Sequence, residues 1–499
     1  MRAQLIARNT IFNLLGQGIP LLVGLIAMPV LAKGLGPDRF GLLSLAWVIA
    51  GYFMVFDLGL GRATTKYVAE MLAAGKDNQV PIVVWSSLCT QLIFGLIGAC
   101  AFILLTPALV TNMLKIPASL QAEARLMFYV LAFGLPVSLA ATSLSGALEA
   151  RQRFDLTNAV RVPSTVILYI APVIGVFFNL SLPIVVGFML GARILAVVAL
   201  LFINNKVYAE FNQPRGSMLM LRQLLGFGGW VTVSAVIGPI LVYAERFLIS
   251  VLISVAALGY YSAPLDALTR LWLIPSSLST TLFPAFTEMA AVKNYQKALQ
   301  LAIHSIRVLT AVLLPPLVVI TISARELLTI WLGPEFAQQS TAALRIATAG
   351  LFINSLATIP YALIQGAGRA DLTGKFHLAE LPVHLLLCVV LIKGLGIPGA
   401  AGAWTIRLIL DALLLFWATV LLTGWRPTLS LGRTVRTGAG LGVTALALVF
   451  IKIACERGSL LIHLGLALFA LCALYVLAWV LILDQRERRL IRETLSSVW

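Results

Sequence analysis

The amino-acid sequence predicts an all-α polytopic membrane protein. It should hold about 14 transmembrane helices, as two repeated six-helix bundles around a central cavity plus a C-terminal helix pair. Three observations predict this. Charged residues make up only 11% and apolar residues 60% of the 499 positions, against roughly a quarter charged in soluble domains. Apolar runs long enough to cross a bilayer, about 17–25 residues each, recur along the whole chain. The chain also repeats itself at an offset of about 218 residues: Phe40-Gly41-Leu42-Leu43-Ser44 returns as Leu258-Gly259-Tyr260-Tyr261-Ser262, and each copy then runs to an acidic pair, Glu70-Met71 and Glu288-Met289.

The spans fall near 10–32, 40–60, 81–105, 126–147, 160–178, 183–204, 226–250, 258–288, 303–322, 342–364, 377–396, 398–421, 437–455 and 460–483. The first has a basic start but no small-residue cleavage site, so it reads as a helix and not as a removed signal peptide. Six spans form the first repeat over 1–210, six form its copy over 218–424, and 430–499 holds the last two with a basic tail. Two more anchors hold the offset. Arg153-Phe154-Asp155-Leu156-Thr157 matches Arg369-Ala370-Asp371-Leu372-Thr373, and Pro183, Gly187 and Arg193 match Pro398, Gly402 and Arg407. Proline stands at mid-membrane in the first and seventh spans, Pro20 (then Pro29) and Gly238-Pro239, where the missing backbone donor bends a helix. The second and eighth spans are long, 40–71 and 258–289. Each as one helix would reach about 48 Å, beyond the ~30 Å hydrocarbon core, with Asp57 and Arg62 near mid-depth. Alternatively Gly59 and Gly61 end the second helix early and Arg62 to Glu70 lies amphipathic on the inner face.

The net charge of +16 would suit nucleic acid, but its placement points to a membrane. With the N-terminus inside, twenty-one Lys and Arg residues fall in inner loops and tails, Arg151, Arg153 and Arg161 among them, and nine in outer loops. That is the asymmetry expected of short loops around membrane helices. It places both termini in the cytoplasm, with the chain multi-pass in the membrane. The tail Arg486-Glu487-Arg488-Arg489 reads as a topology anchor at anionic lipid. Cys89, Cys100, Cys388, Cys455 and Cys472 lie in or beside apolar segments without metal or redox spacing, and read as small buried hydrophobes.

Duplicated helix bundles with a shared midline are how many transporters form an alternating-access cavity. Ionisable groups inside spans are costly and mark candidate sites in such a cavity. The cations left after the loops are counted are Arg62, Arg193, Arg246, Arg270, Arg307 and Arg407, and the acids are Asp57, Glu245, Asp266 and Asp411. Asp266 with Arg270 and Arg407 with Asp411 stand at i,i+4, a spacing that allows an ion pair on one helix face. Arg193 and the Arg407–Asp411 pair read as locks between helices. Arg62, Arg246, Arg270 and Arg307 are the candidates for binding an anion, because guanidinium groups hold phosphate oxygens by bidentate charged hydrogen bonds. Asp57, Glu245 and Asp266 are candidates for a coupling ion, H⁺ or Na⁺, or for charge pairing. Glu245-Arg246 align with Ala27-Met28 in the first copy, so the anion site is expected to be asymmetric. His377, Glu380 and His384 share a helix face, but Pro382 interrupts it and a metal site is not expected. Neither a nucleophile triad nor a phosphate-cradling glycine loop is present, so the chain is not expected to be an enzyme or to carry a cofactor.

Several short stretches in fixed order resemble one family. Gly36-Pro37-Asp38-Arg39-Phe40-Gly41, Asp57-Leu58-Gly59-Leu60-Gly61-Arg62-Ala63, Lys66-Tyr67-Val68-Ala69-Glu70, Arg246-Phe247-Leu248-Ile249, Ala257-Leu258-Gly259-Tyr260-Tyr261 and Gln365-Gly366-Ala367-Gly368-Arg369 are similar to Wzx-type polysaccharide flippases. These belong to the multidrug/oligosaccharidyl-lipid/polysaccharide (MOP) exporter superfamily. The resemblance covers essentially the whole chain. It implies transport of an undecaprenyl-pyrophosphate-linked oligosaccharide from the inner to the outer leaflet for O-antigen (lipopolysaccharide), capsule or exopolysaccharide. It also implies membrane lipids and the polysaccharide polymerase and chain-length machinery as partners. A lipid II flippase or a cation-coupled drug exporter of the same superfamily is the alternative. A membrane-embedded polymerase or ligase is the alternative of another class, though it would need a large outer loop that the sequence lacks.

Overall fold

The structure, a computed structural model, describes residues 2–208, 210–226, 229–424 and 460–481. Every regular element among them is helical. Nine helices among the described residues are long and apolar enough to cross a membrane. The expected thirteenth span and the basic tail lie outside the described residues. The chain divides into two compact units, Met1–Ala263 and Pro264–Trp499.

The first unit begins with α1 (Arg2–Tyr52), which passes Pro20 and Pro29 in helical geometry and breaks only at Gly36, with φ 71° and ψ 169°. Proline at the first position of the resumed helix has no amide to leave unsatisfied, which is the role of Pro37. A 3₁₀ turn, Phe53–Asp57, follows, and the chain then runs through left-handed Leu58 and Gly59 into α2 (Leu60–Ala73). The second span is therefore broken, and the single long helix considered from sequence does not form. Next come α3 (Val80–Ala108), α4 (Ala118–Ala150), α5 (Phe154–Phe177), α6 (Leu182–Val207), α7 (Met218–Gly226), α8 (Gly229–Leu252) and α9 (Val255–Thr269), whose later residues enter the second unit.

The core of this unit is a fully buried cluster from α2, α3, α4 and α6 that includes Leu60, Val84, Leu144, Ala147 and Leu200. Apolar side chains also cover the outward faces, among them Leu104 and Phe177, as a lipid-facing surface requires. The two copies of the repeated motif touch. A Cβ on Gly41 would sit 1.9 Å from the Val255 carbonyl oxygen, and Phe40 and Gly41 press on Gly259. Only glycine permits two backbones this close, so the sequence repeat is also a packing contact.

The second unit continues through a 3₁₀ turn (Arg270–Trp272) into α10 (Leu273–Ala291). The eighth span is thus interrupted near the place where the second one is. Then follow α11 (Tyr295–Ile322), α12 (Ala324–Trp331), α13 (Pro334–Gly366), α14 (Ala370–Leu395), α15 (Ile397–Thr423) and α16 (Leu460–Leu481). Helices α13 and α15 pack closely where Gly350 meets Thr405, and α16 lays Ala470 and Leu474 on Val318, Val319 and Ile322 of α11. The second repeat anchor forms the same local structure twice. Arg153 pairs with Asp155 at 2.9 Å at the start of α5, and Arg369 pairs with Asp371 at 3.0 Å at the start of α14. Cys388 is buried as expected, but Cys89, Cys100 and Cys472 are exposed. In a membrane-spanning helix the apolar exterior accepts a thiol as readily as the core does, so an apolar run does not tell the two apart.

Candidate functional site

The most developed polar site lies inside the first unit and is organised by Asp57. The 3₁₀ turn ends at Asp57, and the left-handed pair Leu58 (φ 47°) and Gly59 (φ 78°) reverses the chain into α2. The carboxylate therefore stands at the N-terminus of the next helix, and its Oδ1 accepts from the Gly61 amide at 3.2 Å, as helix N-caps do. The same oxygen accepts from Gln91 Nε2 at 2.6 Å and from Thr142 Oγ1 at 3.0 Å. Behind it runs a buried chain of polar groups. Ser143 donates to Gln91 Oε1 at 2.6 Å, Ser143 and Ser87 share a bond of 2.7 Å, and Thr64 donates to Ser87 at 2.6 Å. Gln91, Ser87, Ser143 and Thr64 are fully buried and Asp57 is 8% exposed. Polar groups this deep among apolar helices are costly unless satisfied, and satisfied ones fix a single helix arrangement.

Asp57 opens on a cavity of about 480 Å³ lined from α2, α4, α5 and α6. Its polar wall is Thr65, Thr142, Ser145, Glu149, Thr157, Arg161 and Ser164. Close approach of α2 and α4 shapes its floor: a Cβ on Gly146 would lie 2.8 Å from Thr65 Oγ1 and 3.0 Å from the Gly61 carbonyl oxygen. Arg161, counted from sequence as an inner-loop cation, lies inside α5 and lines this cavity. The helix begins at Phe154, ahead of the apolar run near 160–178.

The other residues singled out from sequence are spread over the two units. Arg62 lies in the first turn of α2. Glu245 is buried on α8 and Arg246 half-buried beside it, its guanidinium 5.8 Å from the Tyr243 ring centroid. Tyr243 packs on Tyr52 at 5.7 Å, so the charged step of α8 abuts the end of α1. In the second unit Asp266 is half-buried on α9, Arg270 is exposed on the 3₁₀ turn, and Arg307 is half-buried on α11. Arg193 donates to Ser138 Oγ at 2.7 Å and ties α6 to α4. Arg407 does not pair with Asp411 along its own helix. Its ion pair is with Glu380 of α14, at 3.7 Å, because the neighbouring helix brings a carboxylate to the face that Arg407 presents. Among the described residues no group of three or more His, Cys, Asp or Glu side chains could hold a metal ion.

Residues 6–290 match the family described as "Polysaccharide biosynthesis protein". The chain is 30% identical over 415 residues to a Shigella flexneri protein named "Putative O-antigen transporter", covering 83% of this chain and 97% of that protein. It is 21% identical over 394 residues to "Uncharacterized membrane protein EpsK" of Bacillus subtilis strain 168, covering 77% and 76% of the two. Among solved structures it is similar to the lipid II flippase MurJ in an inward closed conformation. That match has a TM-score of 0.70 at 12% identity and covers 94% of this chain and 98% of that one. An inward-facing multidrug resistance MATE family transporter of the MOP superfamily also matches with TM-score 0.70, at 15% identity, covering 82% and 98%.

Proposed function

Because this chain belongs to the polysaccharide biosynthesis protein family and has the fold of MOP-superfamily transporters, we propose that it flips an undecaprenyl-pyrophosphate-linked oligosaccharide from the inner to the outer leaflet. The observation that carries this reading is its match to the Shigella flexneri protein along nearly that protein's whole length. The Shigella flexneri relative and the structural neighbours are named as transporters or a flippase, so the chain is a multi-pass membrane transporter and not an enzyme. The likeness to MurJ concerns the fold and does not favour lipid II over a polysaccharide unit.

In the proposed cycle, alternating access carries the sugar and its pyrophosphate past the hydrocarbon while the prenyl chain stays in the bilayer. Arg62, Arg246, Arg270 and Arg307 are the groups proposed to meet the pyrophosphate. Guanidinium suits this because its charge persists when partly desolvated and its fork matches phosphate oxygens. The cavity beside Asp57 suits the sugar. Its volume lies in the range of small-ligand sites, ~300–1,000 Å³, and a wall of hydroxyls with Asp57, Glu149 and Arg161 offers both acceptors and donors to sugar hydroxyls. Both termini are proposed to be cytoplasmic, and the polymerase and chain-length machinery to act on the delivered unit.

The test is complementation. A strain deleted for this chain should regain surface polysaccharide with the wild-type chain, and should not with Arg246→Ala/Arg270→Ala at equal amounts of folded membrane protein. Full export by the double variant would remove those arginines from the site.

A further inference from the structure

A second buried polar cluster lies in the second unit. His377 and Glu380 reach it from α14, Arg407 and Asp411 from α15, and Asn354 from α13. Glu380 is 3% exposed, and Arg407 and Asp411 are 7% exposed. Neither oxygen of Glu380 accepts a hydrogen bond, nor does Oδ1 of Asp411. Arg407 Nη1 stands 3.7 Å from Glu380 Oε2, an ion-pair distance too long for a hydrogen bond. Asp411 Oδ2 has one weak donor, Asn354 Nδ2 at 3.4 Å. The two carboxyl groups are close enough to hydrogen-bond each other. The ionisable groups acting on them are Arg407 and His377, and α13 faces them with the neutral Asn354.

Charge and hydrogen bonding point to the same occupant. With His377 as the neutral imidazole, two ionised carboxylates beside one arginine would leave a net negative charge among apolar helices, with like charges in contact, which both desolvation and repulsion oppose. One proton on the pair makes the cluster neutral. It also supplies an O–H donor to a pair in which Glu380 otherwise has none and Asp411 has only Asn354, and a buried carboxyl short of donors is costly. Asp57 is in the opposite situation: three donors already solvate its ionised form. We infer that Glu380 and Asp411 share a single exchangeable proton, with Arg407 as fixed countercharge, and that this pair is where a proton gradient engages the transport cycle. The coupling clause rests on the transporter reading above; the proton site itself does not.

The test uses the full chain in lipid nanodiscs and infrared difference spectroscopy through pH steps. The wild type should show the C=O stretch of a buried protonated carboxyl at neutral pH, shifted in D₂O and titrating as one proton. Glu380→Gln and Asp411→Asn should each abolish or move that band. A wild-type spectrum without the band overturns the site, and this arm needs no variant to fold. The same band in both variants, or its removal by Na⁺ at constant pH, overturns it as well, the latter in favour of a sodium site. Loss of polysaccharide export in the two variants, with folded protein retained, is the expected coupling result, and export that persists after the band is gone overturns the coupling. Failure of the flippase reading would appear separately, as normal surface polysaccharide in a strain lacking the chain, and would leave the infrared result standing.

Discussion

Replacing Gln91 by leucine removes the side chain that joins α3 to both Asp57 and α4. Gln91 donates to Asp57 Oδ1 at 2.6 Å and to Thr142 Oγ1 at 2.9 Å, and accepts from Ser143 at 2.6 Å. A hydrogen bond to a charged group contributes about 1.5–3 kcal/mol, and neutral side-chain bonds between membrane helices average about 0.6 kcal/mol. Gln91→Leu should therefore destabilise by about 3 kcal/mol, most of it from the bond to Asp57. Thr142→Val, which removes a weaker donor to the same oxygen, should cost about 1–2 kcal/mol. The two changes share Asp57, so the double variant should fall short of the sum by about 1 kcal/mol. Equilibrium unfolding of purified protein in mixed micelles measures all three. An unchanged midpoint for Gln91→Leu, or strictly additive costs, would refute the claim that one carboxylate organises this site.

Three other outcomes follow from local geometry and charge. Gly146→Leu should cost about 1–3 kcal/mol through overpacking and lower the yield of folded protein in the membrane, because its side chain meets Thr65 and the Gly61 carbonyl. Glu123→Ala should destabilise more than Arg39→Ala in a thermal melt. Glu123 both pairs with Arg39 at 3.0 Å and accepts the Leu182 amide at the start of α6 at 2.8 Å, whereas Arg39 is 42% exposed and a pair of that kind contributes about 1 kcal/mol at most. The Arg246→Ala/Arg270→Ala variant should lose export without losing folded protein, as surface polysaccharide staining beside membrane fractionation would show.

Much of the fold was legible because a bilayer imposes a simple pattern. Long apolar runs and the repeat at Gly41 and Gly259 needed no structure. The break in the second span was only half legible. Gly59 suggested it, but the turn also places Leu58 in a left-handed conformation, which no residue preference announces. The site was less legible because most of its members are uncharged. Asp57 stood out, while Gln91, Thr142, Ser143 and Ser87 are neutral residues scattered over two helices, and their meaning comes from distance alone. Glu149 and Arg161 escaped because they sit near span ends, where sequence cannot separate a loop cation from a cavity wall. Glu380 was noticed only as a doubtful metal ligand, since its partners Arg407 and Asp411 lie on another helix.

The most direct test of the central claim is flipping by the purified chain. Proteoliposomes would carry undecaprenyl-pyrophosphate-linked oligosaccharide from the host, and lectin added outside would report the accessible fraction over time after outer-leaflet units are cleaved. The account predicts that inner-leaflet units become accessible with the wild-type chain and stay protected in protein-free vesicles. Equal protection with and without the chain, in vesicles where it is folded and inserted, would contradict it.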